Sequence, residues 1–246
     1  MERYIPRPRE LALERLKAYI LEHDLQPGDC LPPEREMCRS WGFNRTTLRS
    51  AIARLEASGL LYAVQGSGTR ITHRFRISLD KLSSFSEAAA ACGFHPETRL
   101  LSYNTVSCDE HLARIFHRAE GDSFCKFSCL RLLDQTPVMI NTAYFPADLA
   151  TGFTEHDLVN GSLFQILRQA CQLKLEYGAA KISLTHFTAE EAGILNLSAG
   201  VTAFQIVTQI NTDDGILVEY SRSVGRADKI ELVSSMQWER EKEDLP

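Results

Sequence analysis

Arginine and threonine side chains are concentrated in one short stretch of this 246-residue chain. Residues 35–76 contain eight Arg, no Lys and two Glu, a balance of +6, and Arg45, Thr46, Thr47 and Arg49 lie close together within them. The planar guanidinium suits phosphate oxygens and guanine edges, and hydroxyl groups bond phosphate oxygens. This chemistry fits a nucleic-acid contact, although the same charges could lie on a solvated helical surface.

The net charge is divided unevenly along the chain. Residues 1–76 hold 13 Lys and Arg against 9 Asp and Glu, a balance of +4, whereas the remaining residues hold 14 against 23, a balance of −9. A basic N-terminal unit attached to an acidic body predicts an anionic partner for the first part alone.

The elements that would position these arginines have the order of a winged helix-turn-helix. A first helix over Leu11–His23 precedes a second helix that begins after Pro32-Pro33 and ends at Trp41-Gly42. Asn44 is a favourable N-cap for a third helix. The predicted buried stripe of that helix is Leu48, Ala51, Ile52 and Leu55. The two β-like runs of a hairpin follow, over Leu60–Val64 and Thr69–Thr72.

The predicted stripe leaves Arg45 and Arg49 outside the core, at the end of the third helix that a recognition helix presents to the major groove. Arg35, at the start of the second helix, is placed to bind phosphate, and glycines at the hairpin tip allow a close approach to the DNA backbone. Arg39 and Arg54 are expected to be ordinary surface charges. The residues predicted to contact DNA are Arg35, Asn44, Arg45, Thr46, Thr47, Arg49, Gly66, Gly68 and Thr69.

About 60 residues of this region resemble, in register and with few gaps, the GntR family of bacterial regulators. The residues that carry the resemblance are Leu31-Pro32-Pro33-Glu34-Arg35-Glu36, Asn44-Arg45-Thr46-Thr47-Leu48-Arg49, Leu55-Glu56-Ala57-Ser58-Gly59-Leu60 and Gln65-Gly66-Ser67-Gly68-Thr69. Pro33 and Asn44 depart from the Ser that is common at each position, and both are compatible with the same helix starts.

The acidic part of the chain predicts an antiparallel α+β domain. Extended segments are expected in two hairpins, Phe124–Leu133 with Val138–Phe145 and Ala203–Asn211 with Ile216–Val224, and singly at Arg99–Ser107, Leu175–Phe187 and Ile230–Trp238. Helices are expected at Lys81–Cys92, Asp109–His117, Ser162–Cys171 and Ala189–Leu195. Hairpins with segregated helices favour an antiparallel sheet over a parallel one.

This part resembles the UTRA effector domain of the HutC branch of GntR regulators, which implies a chorismate-lyase-like fold. The resemblance is carried by Leu82-Ser83-Ser84-Phe85-Ser86-Glu87, Arg131-Leu132-Leu133-Asp134, Pro137-Val138, Tyr144-Phe145-Pro146, Gly161-Ser162-Leu163-Phe164, Glu219-Tyr220-Ser221 and Arg226-Ala227-Asp228. The last group is also similar to branch members that regulate phosphonate use. The expected organisation is a DNA-binding domain over residues 1–72, a basic linker over 73–79 and an effector-binding, dimerising domain over 80–246.

Two predicted helices begin at serines, Ser83–Ser86 and Ser162, where backbone N–H groups, hydroxyls and the positive dipole end suit an anion. Arg131 would add a charge-assisted contact to that anion. Alternatively, the serines are simple N-caps and Arg131 pairs with a neighbouring carboxylate. The residues predicted to bind the effector are Ser83, Ser84, Phe85, Ser86, Arg131, Asn141, Ser162, Phe164, Glu219, Tyr220 and Arg226.

Three positions depart from the relatives that sense sugar phosphates. Those relatives often have Arg-x-Arg where this chain has Cys129-Leu130-Arg131, Asn141 replaces a frequent Glu, and Phe164 replaces a frequent Tyr. One cation fewer implies an effector that is less charged than a sugar phosphate or that belongs to another class.

Other features of the sequence favour a cytoplasmic protein without a metal or cofactor. The seven Cys form no C-x-x-C pair, and the N-terminus lacks the apolar run of a signal peptide. No apolar segment approaches the ~18–20 residues that a membrane span requires. No phosphate-binding glycine loop is present, and no His has a Ser or Cys partner at triad-like spacing.

We therefore expect a transcription regulator, and a repressor rather than an activator, that binds a palindromic operator as a homodimer. Its effector would be a small anionic molecule, such as a sugar phosphate or a phosphonate-related metabolite, that alters operator binding. The resembled fold also hosts a lyase, so an enzyme with an accessory DNA-binding domain is the alternative, but no catalytic constellation supports it. A further alternative is an adaptor whose basic unit binds an acidic protein.

Overall fold

The computed structural model describes residues 7–80, 83–161, 163–169 and 171–234, and these residues form two compact units. One unit contains the residues up to Arg74 together with Ala227–Lys229. The other contains Phe75–Arg226 together with the residues from Ile230 onward.

In the described part of the first unit, three helices precede a two-stranded hairpin, which is the predicted order. The elements are α1 (Pro8–Glu22), α2 (Glu34–Trp41), α3 (Arg45–Ala57), β1 (Leu61–Val64) and β2 (Gly68–Ile71), with β1 and β2 antiparallel. Helix α1 begins three residues earlier than expected, because proline is tolerated in the first turn. The Glu10 carboxylate also accepts a hydrogen bond from the Arg7 backbone N–H at 2.9 Å.

The core of the first unit confirms the predicted stripe of α3. Leu48, Ala51, Ile52 and Leu55 are all buried, and they pack with Leu16 of α1, Met37 of α2 and Leu61 of β1. Burial of this face leaves the opposite face of α3 in contact with solvent. The glycine at position 42 has a φ of +73° and ends α2 in the left-handed conformation, so the chain can turn directly into α3.

The second unit is built on a six-stranded antiparallel sheet, which confirms the predicted α+β class. The strands of this sheet are β4 (Pro96–Ser107), β5 (Ser123–Leu133), β6 (Thr136–Pro146), β7 (Leu175–His186), β8 (Thr202–Thr212) and β9 (Leu217–Arg226). Their order across the sheet is β4-β5-β6-β9-β8-β7. Both predicted hairpins form, because β5 pairs with β6 and β8 pairs with β9.

A second, two-stranded sheet was not predicted. Strand β3 (Phe75–Ser78) lies within the segment expected to be a linker, and it pairs in parallel with β10 (Ile230–Val233). The two strands are far apart in the chain, so no local pattern in either segment indicates the pairing. The end of the predicted last strand, residues 235–238, lies outside the described residues.

Short helices cover both faces of the six-stranded sheet. They are α4 (Phe85–Ala91), α5 (Glu110–Phe116), α6 (Glu155–Asn160), α7 (Leu163–Gln169) and α8 (Ala189–Ile194), and a 3-10 helix spans Ala147–Gly152. Helices α6 and α7 pack on the face that contains Phe127 and Phe145, whereas α8 packs on the face that contains Leu130 and Leu132. The hydrophobic run of β5 is therefore buried on both faces, and α6 was not predicted.

The helix predicted from Lys81 begins only at Phe85, because Ser84 caps it, and residues 81 and 82 lie outside the described range. Among the residues described, no helix is both long enough and apolar enough to cross a membrane.

Candidate functional site

The N-terminal end of α3 is held by its cap residue. The Asn44 side chain accepts a hydrogen bond from the Thr47 backbone N–H at 2.8 Å, so the Asn44 oxygen is already engaged in the helix start. Arg45 and Thr46 are exposed, and Thr47 is half-buried. The side chains of Arg45 and Thr46 are therefore accessible to a second molecule that approaches the start of α3.

Arg49 is exposed but not unpaired. Its Nε lies 2.8 Å from Oε2 of Glu34 at the start of α2, although 70% of the Arg49 side chain remains accessible to solvent. Arg49 therefore lies outside the core, as the buried stripe predicts, but its guanidinium is already paired within the protein. In the described part of the chain, no ion pair involves Arg45.

The remaining predicted DNA contacts lie in the same unit. Arg35 is exposed in the first turn of α2. Gly66 and Gly68 are exposed at the hairpin tip with φ of +77° and +87°, which a side chain would strain. Thr69 is half-buried, and its backbone carbonyl accepts a hydrogen bond from the Leu31 N–H at 2.8 Å.

Sequence reasoning did not single out Arg70, and the structure gives this residue a structural role. Arg70 Nη1 donates to the Gly28 carbonyl at 2.7 Å, and Nη2 donates to the Ser67 hydroxyl at 2.8 Å. These bonds brace the hairpin tip against the turn that follows α1.

The second unit contains a cavity of about 430 Å³, a size suited to a small ligand. It lies against one face of the six-stranded sheet and reaches α4 and the start of α7. Seven of the predicted effector-binding residues line it, namely Ser83, Ser84, Phe85, Arg131, Asn141, Phe164 and Glu219.

The two-residue period of the strands explains which side chains meet in the cavity. Asn141 of β6 pairs with Ser223 of β9, and Ser221 of β9 pairs with Thr208 of β8, so all four lie on one face. Sequence reasoning missed Ser221, Ser223, Thr208 and Met139 as lining residues. Alternation along β9 from Glu219 could have indicated the first two, but the pairing of β6 with β9 is non-local.

Ser86, Tyr220 and Arg226, which were also predicted to bind the effector, are not among the described residues that line this cavity. Because Tyr220 follows Glu219 in a strand, it points to the opposite face, where its ring lies 5.9 Å from that of His111. Arg226 is the last residue of β9 and donates to the Pro137 carbonyl at 3.3 Å. Ser162 lies outside the described residues.

Arg131 enters the cavity from β5. Its Nη1 donates to the Thr98 hydroxyl, and its guanidinium carbon lies 5.5 Å from the centroid of the Phe85 ring. Cation–π contact and a neutral hydrogen bond hold the side chain without neutralising its charge. Within the described ranges Arg131 forms no salt bridge with a carboxylate, which was the alternative role considered for it.

Ser84 is a buried N-cap. Its hydroxyl accepts from the Glu87 N–H at 3.2 Å, and the Glu87 carboxylate accepts from the Ser84 N–H at 2.9 Å. These two bonds form a capping box, and the bond from the Ser84 backbone is the largest cause that lowers the pKa of Glu87. A negative charge therefore already occupies the start of α4.

Glu219 is a buried carboxyl in the cavity wall. Only 4% of the residue is exposed, and burial raises its pKa to about 7, against the opposing effects of a hydrogen bond with Ser221 and the charge of Arg131. Its Oε2 has no hydrogen-bond partner among the described residues.

Two models of known protein families match this chain, one in each part. A model of the UTRA domain matches residues 91–231, more than half of the chain, and a model of bacterial regulatory proteins of the gntR family matches residues 8–71. The chain belongs to the GntR family. Its UTRA domain places it with the HutC-branch regulators of that family, as the sequence predicts.

Relatives of this GntR protein align along nearly its whole length. The HTH-type transcriptional repressor NagR of Bacillus subtilis is 29% identical over 225 residues, which are 91% of this chain and 92% of NagR. The mannosyl-D-glycerate transport/metabolism system repressor MngR of Escherichia coli is 25% identical over 224 residues, with the same coverage. The crystal structure of PhnF from Mycobacterium smegmatis, at 23% identity, matches with a TM-score of 0.68 over 93% of this chain and 100% of that one.

These matches confirm that the chain is a transcription regulator with a UTRA effector domain and the fold of that group. The proteins of this family are regulators and not enzymes, so the findings support the regulator over the lyase alternative.

Proposed function

We propose that this GntR regulator binds a palindromic operator, with residues 1–72 as the DNA-binding domain and residues 80–246 as the effector domain. The observation that carries the proposal is the pair of exposed residues, Arg45 and Thr46, at the capped start of α3, opposite a fully buried stripe. Arg45 and Arg49 would reach base edges in the major groove, and Arg35 and Thr47 would bind phosphates. Gly66, Gly68 and Thr69 would bring the hairpin tip to the DNA backbone.

The active form would be a homodimer. A single recognition helix reads few base pairs, so specificity requires two half-sites. Strand β7 lies at the edge of the six-stranded sheet, and it exposes Ile182 and Leu184, the latter at 81%. A long edge strand with apolar side chains is an unfavourable surface in a monomer, which supports its burial against a second copy.

The effector would be a small anionic molecule bound in the cavity of the second unit. Arg131 supports this, because it brings to the cavity a positive charge that no described carboxylate pairs at contact distance. The name of the relative MngR supports it as well, since mannosyl-D-glycerate carries a carboxylate. Ser83, Ser84, Asn141 and Phe164 would contact the same ligand.

The regulator would act as a repressor in the cytoplasm, where bacterial DNA lies, and effector binding would change its affinity for the operator. The relatives named as repressors support this direction of control. An effector can act in this way only if it binds one arrangement of the dimer better than the other.

Selection from a pool of randomised duplexes with the full chain tests the proposal. We expect the recovered sequences to share an inverted repeat that the protein binds at physiological salt. Recovery of no common motif, with equal retention of every duplex, would contradict it.

A further inference from the structure

The carboxyl of Glu219 lacks a partner that the protein itself could have supplied. It is 96% removed from solvent, and its Oε2 meets no hydrogen-bond donor among the described residues. A buried acceptor without a donor is costly, and such atoms are rare in folded proteins. Because Glu219 lines a cavity, a small reorientation of its carboxyl group would let a ligand bring the missing donor.

The residues around Glu219 supply little compensation for burying its carboxyl group. Its register partner on β8 is Ile210, which is fully buried, and Phe127 and Leu163 line the same cavity. Ser221 forms a hydrogen bond with the carboxyl, but in the described part of the molecule no Lys or Arg makes an ion pair with it. Its one described electrostatic partner of opposite sign is Arg131, which acts from a distance.

The backbone positions of Arg131 and Glu219 are well separated on the sheet. Arg131 pairs with Met139, and Met139 pairs with Gly225 of β9, which is six residues from Glu219. Six residues of strand correspond to about 20 Å, so only extension of both side chains towards the middle of the cavity brings their charges closer. A ligand that meets both groups must carry two functional groups several ångströms apart.

The charges of the lining favour a ligand with a positive group. The described residues that line the cavity include one Arg but three carboxylates, from Asp80, Glu176 and Glu219. A doubly negative ligand would find one cation there, and the ionised carboxylates would oppose its second charge. A ligand with one anionic group and one protonated nitrogen would match Arg131 at one end and the unpaired oxygen at the other.

We propose that the effector is a zwitterion, whose anionic group binds Arg131 and whose protonated nitrogen donates a hydrogen bond to Oε2 of Glu219. This inference rests on the proposed function and specifies the chemical class of its effector. A neutral hydroxyl would satisfy the hydrogen bond but would leave the buried charge uncompensated, so Glu219 selects an amine over a hydroxyl or a methyl group.

Isothermal titration of the full chain at about pH 7.5 with matched ligand pairs tests the inference. The pairs are 2-aminoethylphosphonate with propylphosphonate, and glucosamine 6-phosphate with glucose 6-phosphate; the members of each pair differ in the amine. We expect the aminated member of at least one pair to bind about tenfold more tightly or better. In Glu219→Gln this preference should fall to about threefold or less, and in the control Glu190→Gln, at an exposed position of α8, it should persist.

Equal binding within both pairs, or no binding of either aminated ligand, would overturn the inference. Persistence of the preference in Glu219→Gln, with the melting temperature as a check of folding, would overturn the role of Glu219. Operator binding of the same preparation is measured separately. Failure of the amine preference with intact operator binding refutes the inference alone, whereas loss of operator binding with an intact preference refutes the proposed function.

Discussion

At the N-terminal end of α3, two arginines with the same proposed role have different environments. Arg45 has no ion-pair partner among the described residues, whereas Arg49 is paired with Glu34. An exposed ion pair is worth about 0–1 kcal/mol, so DNA can displace Glu34 from Arg49 at little cost. The pair also holds the Arg49 side chain against the first turn of α2.

Replacement of these arginines tests the recognition surface. Arg45→Ala and Arg49→Ala should each weaken specific operator binding by about 1–3 kcal/mol, because each would remove a proposed contact with a base edge or phosphate. Arg54→Ala, in the last turn of the same helix and also exposed, should have little effect on specific binding. Gel-shift titrations measure all three, and undiminished affinity of both former variants would refute the assignment.

The raised pKa of Glu219 predicts a pH dependence of the free energy of unfolding. Its pKa is about 7 in the folded chain, above the usual value of 4.5, so the folded state binds the proton more tightly between these values. This contribution is fully present below about pH 4.5 and is lost as the pH rises through about 7. Glu219→Gln cannot ionise and should therefore gain stability relative to the parent chain at high pH.

The measurement is the melting temperature of parent and variant without ligand at about pH 5 and about pH 8. The difference between the two proteins should shift in favour of Glu219→Gln at the higher pH, by up to about 3 kcal/mol. A difference that is the same at both pH values would show that Glu219 does not titrate in this range.

At the scale of elements, helices pack on both faces of the six-stranded sheet, whereas its two edge strands are not covered in the same way. The edge strands β4 and β7 each pair with a strand on one side only, as far as the described residues extend. Strand β7 exposes apolar side chains that no described element covers, and its backbone groups on that side are available to a second strand.

A charge on β7 should therefore weaken the proposed dimer. Leu184→Lys places an ammonium group in an interface that would otherwise bury Leu184, and it should shift the chain towards monomer and reduce operator affinity. Leu21→Lys on α1 is the matched control, because Leu21 is equally exposed, at 80%. Sedimentation measures the oligomeric state of both variants, and gel-shift titration measures their operator affinity. An unchanged dimer in Leu184→Lys would exclude β7 from the interface.

At the scale of the whole molecule, regulation is a coupling free energy between the operator and the effector. Such couplings are typically 1–3 kcal/mol, and the operator must change effector affinity by the same factor as the effector changes operator affinity. A cavity in one unit and a recognition helix in the other are sufficient for control only if both bias a shared equilibrium.

Arg131→Ala tests whether the cavity controls this equilibrium. The substitution removes the only cation among the described lining residues, and it should raise the effector concentration needed to change operator binding by about tenfold or more. Titration of the operator complex with an effector found by thermal-shift screening measures the effect, and the ligand-free melting temperature checks folding. An unchanged response would place the effector elsewhere.

Local patterns in the sequence were sufficient for the family and for most of the elements, although not for β3 and α6. The stripe from Leu48 to Leu55, the cap at Asn44 and the turns between hairpin strands depend on neighbours a few residues away, so their periodicity and residue types can be recognised without a structure. The same holds for the choice between an antiparallel and a parallel sheet.

The composition of the cavity depends on contacts between distant parts of the chain. Pairing of β6 with β9 brings Asn141 beside Ser223, burial of Glu219 raises its pKa, and alternation along β9 turns Tyr220 away from the cavity. The ion pair of Arg49 with Glu34 likewise forms between two helices. Local spacing cannot reveal these relations, because register and burial arise only when separate strands and helices pack together.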